Sequence, residues 1–144
     1  MPLADNVQTL AEITEPDAAP QAKGLRVLCI DNEDSILVGM DSLLSRWGMQ
    51  VWTARNQLEC EHLLDEGVCP QLVLVDYHLD EGETGTGLMS WLRQRLGDQL
   101  PGVVISADAR TELIAQVQAA GLDYLAKPVK PAALRALLNR YPAD

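Results

Sequence analysis

The sequence predicts an α/β fold in which a five-stranded parallel sheet carries helices on both faces. Three observations lead there. Five short apolar runs of strand length recur along the chain, LRVLCI (25–30), QVWTA (50–54), LVLV (72–75), GVVIS (102–106) and DYLA (123–126). The segments between them are longer and place apolar residues three and four apart. Regular alternation of strand and helix implies right-handed βαβ crossovers, and therefore parallel strands.

In chain order, residues 1–24 come first, with Pro2, Pro16 and Pro20 among Ala, Asp, Glu and Gln. Such a composition buries too little apolar surface to order itself, so this stretch reads as a flexible linker ahead of a domain at 25–144. The first helix follows the first strand, because Ile36, Met40, Leu43 and Trp47 share one helical face. Asn56, with Glu59 three residues on, marks the start of a second helix carrying Leu58, Leu63 and Leu64. A third runs through Leu88, Trp91, Leu92 and Leu96, and a fourth through Leu113, Val117 and Ala120 until Gly121 closes it. The fifth opens at Pro131, suited to a first helical position, and carries Leu134, Leu137 and Leu138.

Composition narrows the function. The chain has 144 residues, which fits one domain. No apolar stretch approaches the ~20 residues of a membrane span, so a soluble protein without direct membrane contact is expected. The N-terminus lacks a basic start followed by an apolar block, which makes the cytoplasm the expected compartment. A net charge of −10 repels a phosphate backbone and argues against direct nucleic-acid binding. Cys29, Cys60 and Cys69 are odd in number and lack CxxC spacing, so they read as reduced, inert thiols. Trp47, Trp52 and Trp91 read as packing groups.

In an open parallel sheet the working site lies beyond the carboxyl ends of the strands. Here those ends carry Asp31-Asn32-Glu33-Asp34, Asp76, Ser106 and Lys127-Pro128. Bringing Asp31 and Asp76 together raises the energy of both carboxylates unless a cation joins them, and hard oxygen ligands suit Mg²⁺. Beside that ion Asp76 is a candidate nucleophile toward phosphorus. Lys127 offers a positive charge to a phosphoryl oxygen, and the Ser106 hydroxyl offers a hydrogen bond.

In order and spacing, CIDNED, LVLVDYHL, VVISA and DYLAKPVKP resemble the receiver domains of two-component response regulators. The resemblance covers about residues 25–141. It includes the interval of thirty residues from Asp76 to Ser106 and of twenty-one from Ser106 to Lys127. It implies a doubly wound (βα)5, flavodoxin-like fold and a phosphorelay function. Asp76 would accept the phosphoryl group from a phosphohistidine of a histidine kinase or a histidine phosphotransfer protein. Mg²⁺ would be held by Asp31, Asn32, Asp76 and the backbone carbonyl of His78. Ser106 and Tyr124 would form the switch, and Lys127 would sit before a cis peptide bond to Pro128. The surface of helix four, strand five and helix five would carry the output and offer itself for dimerisation. His78 and Asp108, each two residues beyond a site residue, would flank the path of hydrolytic water. The chain looks most like the C-terminal receiver of a hybrid histidine kinase.

Two departures stand out. The usual acidic pair after the first strand is Asp31-Asn32, and an uncharged amide predicts weaker metal binding, tightened by Asn32→Asp. The loop HLDEGETGTG after strand three is longer and more acidic than usual and reads as solvated. The alternative function is a pseudo-receiver that docks partners without phosphorylation. An aspartate-nucleophile phosphatase would want an acid where His78 stands, and a dinucleotide enzyme would want GxGxxG after the first strand.

Overall fold

The computed structural model describes residues 24–141, so the expected linker at 1–24 lies outside the described residues except for Gly24. Five strands, β1 (Arg26–Ile30), β2 (Gln50–Ala54), β3 (Leu72–Asp76), β4 (Gly102–Ser106) and β5 (Asp123–Ala126), form one sheet. Its spatial order is β2-β1-β3-β4-β5 with every pair parallel. Helices α1 (Asp34–Arg46), α2 (Gln57–Asp65), α3 (Gly85–Leu96) and α4 (Thr111–Ala119) connect the strands, and α5 (Pro131–Leu138) follows the last. The doubly wound (βα)5 architecture read from the sequence is the one observed.

Side-chain alternation explains why the three central strands read as unbroken apolar runs. Val27, Cys29, Leu72, Leu74, Val103 and Ile105 face α1 and α5, where Leu37, Met40, Leu44, Leu134 and Leu138 complete one core. Leu28, Ile30, Val73, Val75 and Val104 face the other way, against Cys60, Leu88, Met89, Leu92, Leu113 and Val117 from α2, α3 and α4. Each fully buried Leu, Ile, Val or Met contributes about 1.5–3 kcal/mol relative to exposure. A sheet covered on both faces has no polar side to show.

Local signals place the helix starts. Asn56 Oδ1 accepts the backbone N–H of Glu59 at 2.9 Å, while Glu59 Oε1 accepts from Arg55 N–H at 2.8 Å. The reciprocal bond thus reaches one residue beyond the usual capping box. Thr84 caps α3 through Gly87 N–H, and Pro131 opens α5.

Three expectations need correction. In α1 the most deeply buried residues are Leu37, Met40 and Leu44, and Ile36, Leu43 and Trp47 lie along the margin of that core. The apolar stripe is wider than the one traced from spacing alone. Leu58 does not join the core of α2; it is 60% exposed, and Cys60 is the buried residue of that helix. Cys69 is exposed, unlike Cys29 and Cys60, although all three thiols are free as expected. Trp47, Trp52 and Trp91 pack against the two cores, with Arg135 over the Trp47 ring and Arg95 over Trp91. Among the described residues no helix is long and apolar enough to cross a membrane.

Candidate functional site

Sheet register assembles the site. Ile30 pairs with Val75, so Asp31 and Asp76, one residue on, leave adjacent strands side by side. Asp76 pairs with Ile105, and Ser106 with Ala126. Lys127 N–H donates to the Ser106 carbonyl at 2.9 Å, continuing the β4–β5 ladder one step past the last strand residue. The Lys127–Pro128 peptide is cis, as the sequence led us to expect.

The three charged groups meet. Lys127 Nζ lies 3.1 Å from Asp76 Oδ1 and 3.2 Å from Asp31 Oδ2. Both carboxylates are buried, as is Ser106. Asp31 is further fixed by Glu33 N–H, which donates to its Oδ1 at 2.9 Å. Two carboxylates share one ammonium, so the group carries a net negative charge in a sparsely hydrated place.

Burial and the shared ammonium together set the titration of Asp76 and Lys127. Burial is the main reason the Asp76 carboxyl is pushed above its ordinary value; the Lys127 hydrogen bond opposes it, and the Asp31 charge adds to it. Burial also works against the Lys127 ammonium. There the hydrogen bond to Asp76 and the charges of both carboxylates prevail, and its pKa rises.

Ser106 and Tyr124 are linked through the start of the β4–α4 loop. Ser106 Oγ accepts Asp108 N–H at 3.0 Å. The Tyr124 hydroxyl donates to the Asp108 carbonyl at 2.7 Å, with the Ser106 carbonyl at 3.1 Å as a second acceptor. Arg110 holds the Asp108 carboxylate at 2.8 Å, and its hydrogen bond lowers that carboxyl's pKa. The switch pair expected from sequence therefore sits on one hydrogen-bonded path.

The β3–α3 loop is tied at both ends. Gly85 N–H donates to the Tyr77 carbonyl at 2.8 Å and Leu79 N–H to the Glu83 carbonyl at 3.1 Å, so the His78 carbonyl takes no part in these bonds. A Cβ on Gly85 would lie 2.6 Å from the Asp76 carbonyl oxygen, which is why the chain needs glycine there. The His78 ring is exposed and meets the Tyr77 ring edge-on.

The donors present suit a small hard cation. Asp31 and Asp76 would supply carboxylate oxygens, Asn32 an amide oxygen and His78 a backbone carbonyl, with neither thiolate nor imidazole among them. The uncompensated charge of the Asp31–Asp76–Lys127 group favours a cation. Among the described residues no three His, Cys, Asp or Glu side chains cluster to hold a metal; the expected donor set has only two carboxylates, its other half being the Asn32 amide and a backbone carbonyl.

Sequence reasoning missed Asp80. Asn32 Nδ2 donates to Asp80 Oδ1 at 3.0 Å, across forty-eight residues of chain. Its loop was read as solvated, and the acidic run DEGE was the only hint of a role. Beside Lys127, between α1 and the segment after β5, lies an open apolar cleft of about 570 Å³ lined by Ile36, Met40, Leu43, Pro128 and Val129.

Comparison with known proteins agrees with this geometry. Residues 27–139 match the family model of the response regulator receiver domain. The sensor histidine kinase GacS of Pseudomonas protegens is 28% identical over 137 residues, covering 88% of this chain and 14% of that protein. The two-component response regulator-like APRR3 of Arabidopsis thaliana is 27% identical over 133 residues, covering 90% of this chain and 27% of that protein. The chain thus spans only a minor part of the curated relatives it matches. Among solved structures, a Pseudomonas putida response regulator receiver protein superposes with a TM-score of 0.72 at 25% identity, covering 82% of this chain and 97% of that one. The chemotaxis response regulator CheY4 of Vibrio cholerae gives a TM-score of 0.72 at 22% identity, covering 83% and 99%. With the family model spanning most of the chain, this protein belongs to the response regulator receiver domain family of two-component systems.

Proposed function

We propose that Asp76 is the phosphoacceptor of this receiver domain, taking a phosphoryl group from a phosphohistidine of a histidine kinase or a histidine phosphotransfer protein. The observation that carries the reading is the buried Asp31–Lys127–Asp76 group, with one ammonium within 3.2 Å of both carboxylates at the carboxyl ends of adjacent strands. In the transfer, an Asp76 carboxylate oxygen forms a bond to phosphorus as the phosphorus–nitrogen bond of the donor breaks. The histidine nitrogen leaves with that electron pair and takes a proton. Lys127 is placed to follow a phosphoryl oxygen, and the Ser106 hydroxyl to donate to another after giving up Asp108 N–H. Mg²⁺, held by Asp31, Asn32, Asp76 and the His78 carbonyl, would neutralise charge developing on the phosphoryl oxygens.

The apolar cleft beside Lys127 gives a donor protein a surface to bury within reach of Asp76. The similarity to a sensor histidine kinase supports placement as a receiver module within a hybrid kinase. A donor charged from cytoplasmic ATP makes the cytoplasm the compartment of this reading. Output would pass through the surface of α4, β5 and α5, which Tyr124 joins to the site.

The test is incubation with Mg²⁺ and acetyl phosphate, followed by intact-mass measurement on the wild type and Asp76→Asn. One added phosphoryl mass on the wild type alone is expected. A wild type unlabelled by acetyl phosphate and by a phosphorylated histidine donor alike would overturn the reading in favour of a docking module.

A further inference from the structure

The chain places an amide where the cation site should carry a second carboxylate after β1, and a carboxylate from another loop accepts a hydrogen bond from that amide. We propose that Asp80 is a positioning residue of the cation site, orienting the Asn32 amide and supplying the negative charge that Asn32 lacks. The inference rests on the reading of Asp31, Asn32 and Asp76 as donors to Mg²⁺.

The chemistry of the contact fixes its direction. An ionised carboxylate can only accept, so the end of the Asn32 amide 3.0 Å from Asp80 Oδ1 must be its NH₂. With Nδ2 committed to Asp80, the amide presents Oδ1 on its other side. In the metal-free protein an amide without that bond can turn either end toward a cation, and binding must then fix the orientation. The bond to Asp80 sets it in advance and polarises the oxygen.

The loop is built to hold Asp80 in place. It leaves β3 at Asp76, carries the His78 carbonyl, and returns through an antiparallel bridge between His78 and Thr84. Asp80 opens the short 3₁₀ turn inside that bridge, where Glu81 takes a left-handed conformation with φ of 60°. Gly85 then lies against the Asp76 carbonyl. A loop pinned at both ends can hold an exposed carboxylate facing the β1–α1 turn without burying it.

Asp80 does not cluster with Asp31 and Asp76 tightly enough to form a three-carboxylate site. It acts through Asn32 and through its field. A unit charge a few ångströms behind a ligand of a divalent ion, in largely solvated surroundings, is worth about a fivefold change in affinity at low salt.

The experiment is calorimetric titration of the full chain with Mg²⁺, and with Mn²⁺ read by electron paramagnetic resonance, in low salt and without phosphoryl donor. Asp80→Ala should weaken both ions about fivefold or more, and Asp80→Asn, which keeps an acceptor for Nδ2, by less. Asn32→Asp in the Asp80→Ala background should restore binding to at least the wild-type level. Metal-free melting temperatures of the two Asp80 variants should match the wild type, since the side chain is exposed. Affinities of Asp80→Ala within twofold of the wild type would overturn the role of Asp80 and leave the phosphoacceptor reading intact. A wild type that binds neither ion would overturn both.

Discussion

Replacing Asp76 by Asn should stabilise the folded domain in the absence of divalent cations while abolishing its capacity to be phosphorylated. Asp76 is 6% exposed and Asp31 4%, and the single ammonium of Lys127 serves both. Burial and the Asp31 charge raise the Asp76 pKa above its ordinary value of 3.8 despite the Lys127 bond. A carboxyl with a raised folded pKa binds more protons folded than unfolded. Stability is therefore lost as pH climbs from the unfolded pKa through the folded one, and above both the penalty is complete. The Asn variant carries no such penalty at neutral pH. Its amide oxygen still accepts from Lys127, so no buried charge is stranded. Relief of a destabilised functional site is typically worth about 0.5–2 kcal/mol, or a rise in Tm of roughly 2–8 °C for a domain of this size. Thermal unfolding followed by circular dichroism in EDTA, at about pH 7 and again at about pH 3, below the ordinary carboxyl value, reads both the gain and its disappearance as Asp76 takes up its proton. Saturating Mg²⁺ should then reverse the order, because an ion at 100 times its Kd adds about 2.7 kcal/mol to the protein that binds it. An Asn variant that melts below the wild type in EDTA at neutral pH would refute the reasoning, as would a gain that persists unchanged in acid.

Gly85→Ala should cost about 1–3 kcal/mol in chemical denaturation and slow labelling of Asp76, because the new Cβ would lie 2.6 Å from the Asp76 backbone oxygen. In native protein at neutral pH a thiol reagent should modify Cys69 alone among the three cysteines. Burial pushes the Cys29 and Cys60 thiols up to about 12, and denaturant should release both. Tyr124→Phe removes the hydroxyl bonded to the Asp108 and Ser106 carbonyls and should cost about 0.5–1.5 kcal/mol. Its specific signature is faster amide hydrogen exchange at Asp108, with exchange in the β1–β3 ladder unchanged.

The fold was legible because the central strands are buried on both faces. Runs such as LVLV and GVVIS have no polar alternation to confuse with a surface strand, and Gly or Pro punctuates most of the helices. What failed was depth within a helix: Leu58 looks identical to a core leucine in sequence, yet its position on α2 turns it to solvent. The charged centre was legible for a different reason. Asp76 and Ser106 end their strands and Asp31 and Lys127 directly follow theirs, so knowing the strands parallel was enough to gather them at one edge. Asp80 lay beyond that logic. It stands in a loop with no periodicity, and its contact to Asn32 depends on how two loops fold over the strand ends. The exposure of Cys69 was hidden in the same way, since the residue lies in a connection outside any strand or helix.

Ser106 shows how one strand end can serve both the site and a distant surface. Its carbonyl accepts from the Lys127 backbone and from the Tyr124 hydroxyl, and its own hydroxyl accepts from Asp108 N–H. On the phosphoacceptor reading, a phosphoryl group on Asp76 gives that hydroxyl a stronger, charged acceptor to donate to. Turning toward it withdraws Ser106 Oγ from Asp108 N–H and loosens the loop segment whose carbonyl holds Tyr124. The tyrosine ring is only partly buried, and its hydroxyl is held by the Asp108 and Ser106 carbonyls, so loosening the Asp108 carbonyl would remove one of its two anchors. Backbone hydrogen bonds on both sides of Ser106 limit the movement of the strand itself. On that reading the chemical event would be passed outward by a hydroxyl rotation and a loop, while the sheet that positions Asp31, Asp76 and Lys127 stays fixed.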